Sequence, residues 1–596
     1  MNPIRTALLS VYNKTNIVNL GKFLVERGVR IVSTGGTYRM LKENLGDTDK
    51  LVPIENLTGF PEILGGRVKT LHPMVHGGLL AKRTNPAHTK DMEQNGVDYI
   101  DMIVTNLYPF KQVLESNPDD EQLLLENIDI GGHTMIRAAA KNYEEVLVLT
   151  NPNDYNVVMD NWDNLSNNMH FRRQLARQAF DHIAEYDIAI ASYYNKDRLY
   201  RVYDRVRNLK YGANPQQAFA AIYQNVDQQA LPFEVVNGNP GYINFLDAIY
   251  AWNLVSELGQ ATGLPSVASF KHNSPAGVSV YKELNDTERV AYYAGDKELT
   301  PLATAFVRAR NVDPMSSFGD FIGVHGTVDE CTANLIKTEV SDGIVANDFT
   351  PEALQILKSK KKGGYIILRG NGDIPYNPLE IREMHGLTLV QDENKRTTTY
   401  DSLTNVVCGD IPEDRQLDLI VGNITLKYTQ SNSVCSAKDG QVLGVGAGQQ
   451  SRIDCVKLVR RKTNYWYLRQ HPKVLKLHSM FKKGTKRVTK TNAIIRYIEN
   501  EFSPSEYKEW VNLFENEPEE LTGKDKRDFL ATLDNVSLAS DAFFPFRDNI
   551  DVAQQFGVKY IVQPGGSVQD DVVTEACKEY GMNMAMTGRD MRMFLH

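Results

Sequence analysis

Cysteine is scarce in this 596-residue chain: Cys331, Cys408, Cys435, Cys455 and Cys577 are odd in number, widely spaced and never arranged as C-x-x-C. That pattern excludes a disulfide frame and a thiolate zinc site, and it suits a reducing compartment. No run of eighteen apolar residues occurs, so no membrane-crossing helix is expected. The opening MNPIRTALLSVYNKT has too short an apolar core and the wrong flanks for a secretory signal, which makes the cytosol the expected location. Neither sign of charge dominates, with 66 Lys and Arg against 74 Asp and Glu. The basic footprint of a nucleic-acid binder is therefore missing. G-x-G-x-x-G, Walker A, H-E-x-x-H and the paired motifs of zinc deaminases are missing too, which leaves dinucleotide, P-loop and zinc-hydrolase readings without support.

What is present is alternation. TALLSV, NIVNLGKFLVERG, VRIVSTGG, TYRMLKENLG, VDYIDMIVTNLYPF and EVLVLT switch between short apolar runs and helix-period stretches. This predicts βαβ units on a parallel sheet, an α/β fold. A long helical pattern, FRRQLARQAFDHIAEYDIAIASYYN, closes the region, and a domain boundary is expected near residue 200. Beyond it GYIILRG and LDLIVGNITL read as strands, and VKYIVQPGGSVQDDVVTEACKEYGMNMAMTG reads as strand, Gly-rich loop, helix and strand. Residues 470–535, rich in charge and helix formers, read as an inserted helical segment.

Several stretches carry chemistry. In STGGT, two glycines let backbone N–H groups approach an anion at a helix start, and Ser33, Thr34 and Thr37 add hydroxyls; the alternative is a Gly-Gly turn with an N-capping threonine. In LGGRVKTLHP, an extended chain puts Arg67 and Lys69 on one face, suited to phosphate or a developing oxyanion, or else to a solvated basic edge. NLYPF and IDIGGHTMIRAAAKN contribute Tyr108, Asp129 and Lys141, and a third Gly-Gly pair again opens a helix. SFKHNSPAG sets Lys271 beside His272 at a strand end, where two titratable groups in a turn suit acid/base work. Arg452 in QQSRID reads equally as a ligand contact or as a salt-bridged helix cap.

Taken in order, SVYNKT, STGGT, LGGRVKTLHP, IDIGGH, LKYGANPQQ, FKHNSPAG, MSSFGDF, KYTQSNSV, QQSRIDC, SDAFFPFRDN and RMFLH resemble the bifunctional purine-biosynthesis family over essentially the whole chain. That family joins aminoimidazole carboxamide ribonucleotide (AICAR) formyltransferase to inosine monophosphate (IMP) cyclohydrolase. The resemblance implies a methylglyoxal-synthase-like parallel sheet over residues 1–200 and a formyltransferase region over 201–596. The latter would comprise two cytidine-deaminase-like α/β subdomains, one about 201–378 with the 470–535 helical segment, the other 379–469 and 536–596. It implies 10-formyltetrahydrofolate as cosubstrate, no catalytic metal, no nucleic-acid or membrane partner, and a homodimer with shared formyltransferase sites.

Carried over by position, the resemblance makes Lys141 the acid/base of ring closure with Asp129, Tyr108 and Lys69. The nucleotide there would be held by Tyr12, Asn13, Lys14, Thr34, Gly35, Gly36, Thr37, Arg67, Thr70, Thr105, Asn106 and Ile130. In the second region His272 would be the base and Lys271 the oxyanion partner. Lys210, Tyr211, Asn244, Gly319, Asp342, Phe543 and Arg592 would meet AICAR, and Asn432, Arg452, Ile453, Asp548 and Ser567 the folate. Lys210 and Gln216 stand where relatives carry Arg and His, replacing a planar fork by a point charge. Arg460, Arg461 and Lys462 are expected to receive the folate's glutamate tail. A sensing protein without turnover is the rival reading, and the presence of Lys141, Lys271 and His272 speaks against it.

Overall fold

The computed structural model describes residues 3–165, 168–228, 230–371 and 379–596. The chain divides into two compact units, Met1–Val202 and Tyr203–His596.

In the first unit β1 (Thr6–Val11), β2 (Arg30–Ser33), β3 (Leu51–Pro53), β4 (Met102–Asn106) and β5 (Leu147–Leu149) pair in parallel in the order β3-β2-β1-β4-β5. Every residue of β4 is buried and all but one of β1, as expected of parallel strands covered on both faces. Helix α1 (Ile17–Glu26) turns Ile17, Leu20, Gly21 and Leu24 to the core, the 3.6-residue spacing that the sequence displays. Gly21 is required by packing: a Cβ there would lie 2.8 Å from Leu41 of α2 (Gly35–Leu45). The strand order reverses between β1 and β4, and open α/β sheets bind ligands outside the carboxyl ends of strands at such a point. Those ends lead into Tyr12, Thr34 and Tyr108. The Met169–Tyr194 helix completes the unit against the Gly131–Lys141 helix.

The second unit holds a twelve-stranded mixed sheet made of two halves with one topology. In the first half, strand Phe233–Asn237 and helix Tyr242–Thr262 lead to a hairpin, Ser266–Lys271 with Ser274–Val280, followed by the parallel strands Asp320–Val328, Ser341–Phe349 and Ile366–Gly370. In the second, strand Val406–Cys408 and helix Glu413–Lys427 lead to a hairpin, Val434–Lys438 with Gln441–Gly446, then Val536–Ser540, Val558–Gln563 and Asn583–Met586. The hairpins meet edge to edge at Ser279 and Gln441, and the Val280 N–H donates to Gly440 O at 2.9 Å.

One reading is corrected here. LDLIVGNITL is not a strand but the core of the Glu413–Lys427 helix, with Asp418 through Leu426 all buried. A helix apolar on every side loses its 3.6-residue signal and reads like a buried strand. Within 470–535 lie the helices Pro472–Met480, Arg487–Glu499, Pro504–Val511 and Gly523–Leu530, around a core that includes Trp510, Tyr497 and Phe514. Among the described residues no helix is long and apolar enough to cross a membrane.

Candidate functional sites

The first unit encloses a cavity of about 600 Å³ at the carboxyl ends of β1, β2 and β4. Tyr12, Lys14, Thr34, Gly36, Thr37, Arg67, Lys69, Thr70, Thr105, Asn106, Tyr108, Asp129 and Ile130 all line it. Gly35 and Gly36 open α2 after a sharp turn in which Gly35 takes φ 40°. A Cβ on Gly35 would lie 3.7 Å from Lys69 Nζ, and one on Gly36 3.7 Å from Lys14 Cε. Two ammonium groups thus lean over the free N–H groups of a helix start, the arrangement that holds a phosphate. The hydroxyls contribute less than the sequence suggests. Ser33 Oγ donates to Leu9 O at 2.7 Å and Thr37 Oγ1 to Val11 O at 3.0 Å, so both are spent fastening β1. Asn13 stands outside the lining; its N–H and that of Tyr12 both donate to Asn106 Oδ1 at 2.8 Å, so Asn106 acts by holding this loop.

The LGGRVKT stretch is not extended. Leu64–Gly66 form a 3₁₀ turn with both glycines at positive φ, Arg67 is helical in φ and ψ, and no α-helix opens there. The turn still delivers Arg67 and Lys69 to the cavity, where Arg67 pairs with Glu126.

Asp129 lies at the start of the Gly131–Lys141 helix. Its Oδ1 accepts the Gly132 N–H at 2.7 Å, and it also accepts the Tyr108 N–H. Gly131 and Gly132 are needed for this close approach: a Cβ would meet Thr70 Oγ1 at 2.6 Å on the first and Asp129 Oδ2 at 2.8 Å on the second. Burial raises the Asp129 carboxyl above the ordinary range, against the pull of those N–H groups and of Lys69. Burial, reinforced by Asp129, raises the Tyr108 phenol as well. Tyr186, from the Met169–Tyr194 helix, accepts the Asp129 N–H and donates to Asn127 O, both at 2.7 Å. Lys141 is not brought to this cavity. It is exposed at the far end of its helix, ten residues from Gly131 or about 15 Å along the axis, which is beyond the reach of a lysine side chain.

In the second unit Lys271 and His272 sit at the tip of the first hairpin. Lys271 pairs with Ser274, leaving a two-residue loop, His272-Asn273, with φ 54° and 57°. Such a loop needs positive φ at both positions, natural for Asn and strained for His. Lys271 Nζ donates to Phe318 O at 2.6 Å and lies 4.0 Å from where a Cβ on Gly319 would be. Asp247, nearly buried on the Tyr242–Thr262 helix, accepts the Asn273 N–H at 2.8 Å. Asn244, one turn earlier, caps that helix through Gly241 N–H. Asp342 pairs with Lys361 at 2.8 Å.

A second cavity of about 330 Å³ brings together Asn432, Arg452, Ile453, Phe543 and Asp548 with Asn549 and Phe594. Arg452 is buried and ion-paired with Asp541, donates to Ser540 Oγ at 3.0 Å, and orients Asn432 through its Oδ1 at 2.8 Å. Ser567, Lys210, Tyr211 and Arg592 do not line this cavity. Lys210 lies over the Tyr211 ring at 5.7 Å and Arg592 over Phe594 at 4.8 Å. Of the basic run expected to meet a glutamate tail, Lys462 pairs with Asp313 at 3.2 Å and Arg460 with Gln555. Asp247, Tyr186 and Glu126 escaped sequence reading. Only Asp247 carried a trace, three residues after Asn244 on one helix.

Fold and site geometry define an α/β enzyme with candidate groups in both units, a lysine-lined cavity at a helix start in the first, and a Lys-His hairpin turn and a cavity in the second. The AICARFT/IMPCHase bienzyme family profile matches residues 139–462 and the MGS-like domain profile residues 16–134. The protein of Persephonella marina called bifunctional purine biosynthesis protein PurH is 34% identical over 607 residues, covering 99% of this chain and all of the relative. Its namesake from Clostridium botulinum is 34% identical over 601 residues, with both chains fully covered. The chain belongs to the AICARFT/IMPCHase bienzyme family. It is an AICAR formyltransferase and IMP cyclohydrolase and carries out the last two steps of IMP synthesis.

Proposed function

We propose that the first cavity closes the purine ring and that the Lys271-His272 turn carries the formyl transfer. The observation that supports the division most is the convergence of Lys14 and Lys69 over Gly35-Gly36 in the cavity that also holds Asp129 and Tyr108. The phosphate of formyl-AICAR would sit at the start of α2. Its carboxamide nitrogen attacks the formyl carbon, a C–N bond forms, and the formyl oxygen leaves as water. Asp129 takes one proton from the attacking amide nitrogen, the formamido N–H gives up the second as its nitrogen forms the ring C=N bond, and both protons end on the oxygen that leaves as water, steadied by Lys69 and Tyr108.

In the second unit the 5-amino group of AICAR attacks the formyl carbon of 10-formyltetrahydrofolate. His272 removes the amine proton as the new C–N bond forms, and Lys271 stabilises the tetrahedral oxyanion. The bond from that carbon to N10 then breaks, and N10 takes a proton. The folate is a consumed cosubstrate, and the 330 Å³ cavity with Asn432, Ile453, Phe543 and Asp548 is where its ring would lie. Among the described residues no cluster of three or more His, Cys, Asp or Glu is arranged for a metal.

A homodimer fits two antiparallel ribbons, Tyr203–Asn208 with Ala221–Asn225 and Leu379–Met384 with Leu387–Asp392, that stand apart from the large sheet. Phe219 and Leu387 there are 74% and 70% exposed. A second copy covering them would bring Lys210, Tyr211 and Arg592 to a shared site. The cytosol is the proposed location. Sedimentation at assay concentration should give a dimer; a monomer that turns over AICAR at full rate would remove the shared-site proposal.

A further inference from the structure

We infer that Asp247 is the positioning residue of the formyltransferase centre: its carboxylate holds the strained His272-Asn273 turn and supplies the negative charge beside the imidazole. The inference rests on the reading of His272 as the base.

Three observations carry it. First, His272 is held at φ 54° at an exposed hairpin tip, a conformation a non-glycine residue keeps only where its surroundings enforce it. The Asp247 carboxylate provides that enforcement through the Asn273 N–H at 2.8 Å. Second, the device recurs in the other half of the sheet. There the hairpin turn is Asp439-Gly440, at φ 55° and 71°, and Asp418 on the corresponding helix accepts the Gly440 N–H at 2.6 Å. Even the lysine before the turn is matched: Lys438 Nζ donates to Asp534 O at 2.5 Å, as Lys271 does to Phe318 O. A helix carboxylate gripping the second turn residue is thus how this topology makes the hairpin. Third, the halves differ where chemistry would. Asp439 is consumed by Lys282 at 2.6 Å and Arg415 at 3.5 Å, whereas His272 is exposed beside a carboxylate. Burial raises the Asp247 carboxyl, and His272 is among the groups that pull it back. The other charges about Asp247 are Asp320, ion-paired with Arg310, and Asp342, paired with Lys361. Among the described residues Asp320 and Asp342 are thus ion-paired, whereas Asp247 makes no ion pair, with Lys271 the charged neighbour of His272 along the chain.

The two roles separate by substitution. Asp247→Asn keeps an oxygen for the Asn273 N–H and removes the charge; Asp247→Ala removes both. With AICAR and 10-formyltetrahydrofolate, Asp247→Ala should lower kcat for formyl transfer about a hundredfold, the scale of a displaced acid/base group. Asp247→Asn, which keeps the turn and removes the charge, should lose about tenfold in kcat with KM within twofold. Ring closure of supplied formyl-AICAR is the internal control for folding and should be unchanged in both. Formyl transfer within threefold of wild type in both variants overturns the inference, as does a loss in Asp247→Asn that falls on KM rather than on kcat. His272→Ala is run alongside: if it retains formyl transfer the reading of the base itself fails, and if it alone is inactive only the role of Asp247 fails.

Discussion

Asp129 shows how a single side chain is prepared. Its carboxylate accepts two backbone N–H groups and faces Lys69, while its own N–H is held by Tyr186, whose hydroxyl also grips Asn127. Replacing Tyr186 by Phe keeps the ring against Phe110 but strands one donor and one acceptor, a loss of about 1–3 kcal/mol. Cyclohydrolase kcat in Tyr186→Phe should fall about tenfold while formyl transfer stays level; equal losses in both activities would mean that the variant has damaged the whole chain. At this scale the placement of residues was legible where residue type and position both spoke: Asp129 and Tyr108 line one cavity, and Lys271 and His272 end a hairpin strand. It misled where a role depended on direction. The hydroxyls of Ser33 and Thr37 point back to β1.

Glycine pairs and helix ends set the geometry of the elements. Gly132 allows the Gly131–Lys141 helix to start against the Asp129 carboxylate, and a Cβ 2.8 Å from Oδ2 cannot be accommodated without moving one or the other. Gly132→Ala should therefore lower cyclohydrolase kcat/KM about a hundredfold, the cost of misplacing a reacting group by an ångström. Lys141, at the other end of the same helix, gives the reciprocal test: Lys141→Ala should keep cyclohydrolase activity within threefold, and a loss beyond tenfold would show that the lysine reaches the reacting atoms. Element type followed from periodicity in β1, α1, β2 and the Met169–Tyr194 helix. It failed for the Glu413–Lys427 helix, buried all round, and for LGGRVKT, whose positive-φ glycines make a compact turn that two-residue alternation cannot reveal.

The two halves of the large sheet are joined by the paired hairpins, and the same turn that presents His272 in one half is, in the other, locked into this seam. Asp418 is pushed up to about 6, first by burial and then by Asp439, against the pull of the Gly440 N–H and Arg415. A carboxyl raised in the folded state favours unfolding once it must ionise: the folded protein holds the proton between the ordinary value of 3.8 and about 6 while the unfolded chain has lost it. Its contribution to stability therefore falls as pH rises across that window. Asp418→Asn, which keeps an acceptor for Gly440, should gain more in Tm over wild type at pH 7 than at pH 4; an equal difference at both would exclude a titrating Asp418. The repeat of one topology in two halves was expected from the family resemblance and not from periodicity, because the 470–535 helices interrupt the second copy and the turns share no residue but the preceding lysine.

The central claim is that one chain carries two independent centres. The direct measurement is product identification by mass from AICAR and 10-formyltetrahydrofolate, with a protein-free blank for unaided ring closure, comparing wild type, Lys69→Ala and His272→Ala. Wild type should give IMP. Lys69→Ala should accumulate formyl-AICAR, and His272→Ala should leave AICAR untouched yet close supplied formyl-AICAR at the wild-type rate. Loss of both activities in either variant, or IMP at the wild-type rate from both, would contradict the account.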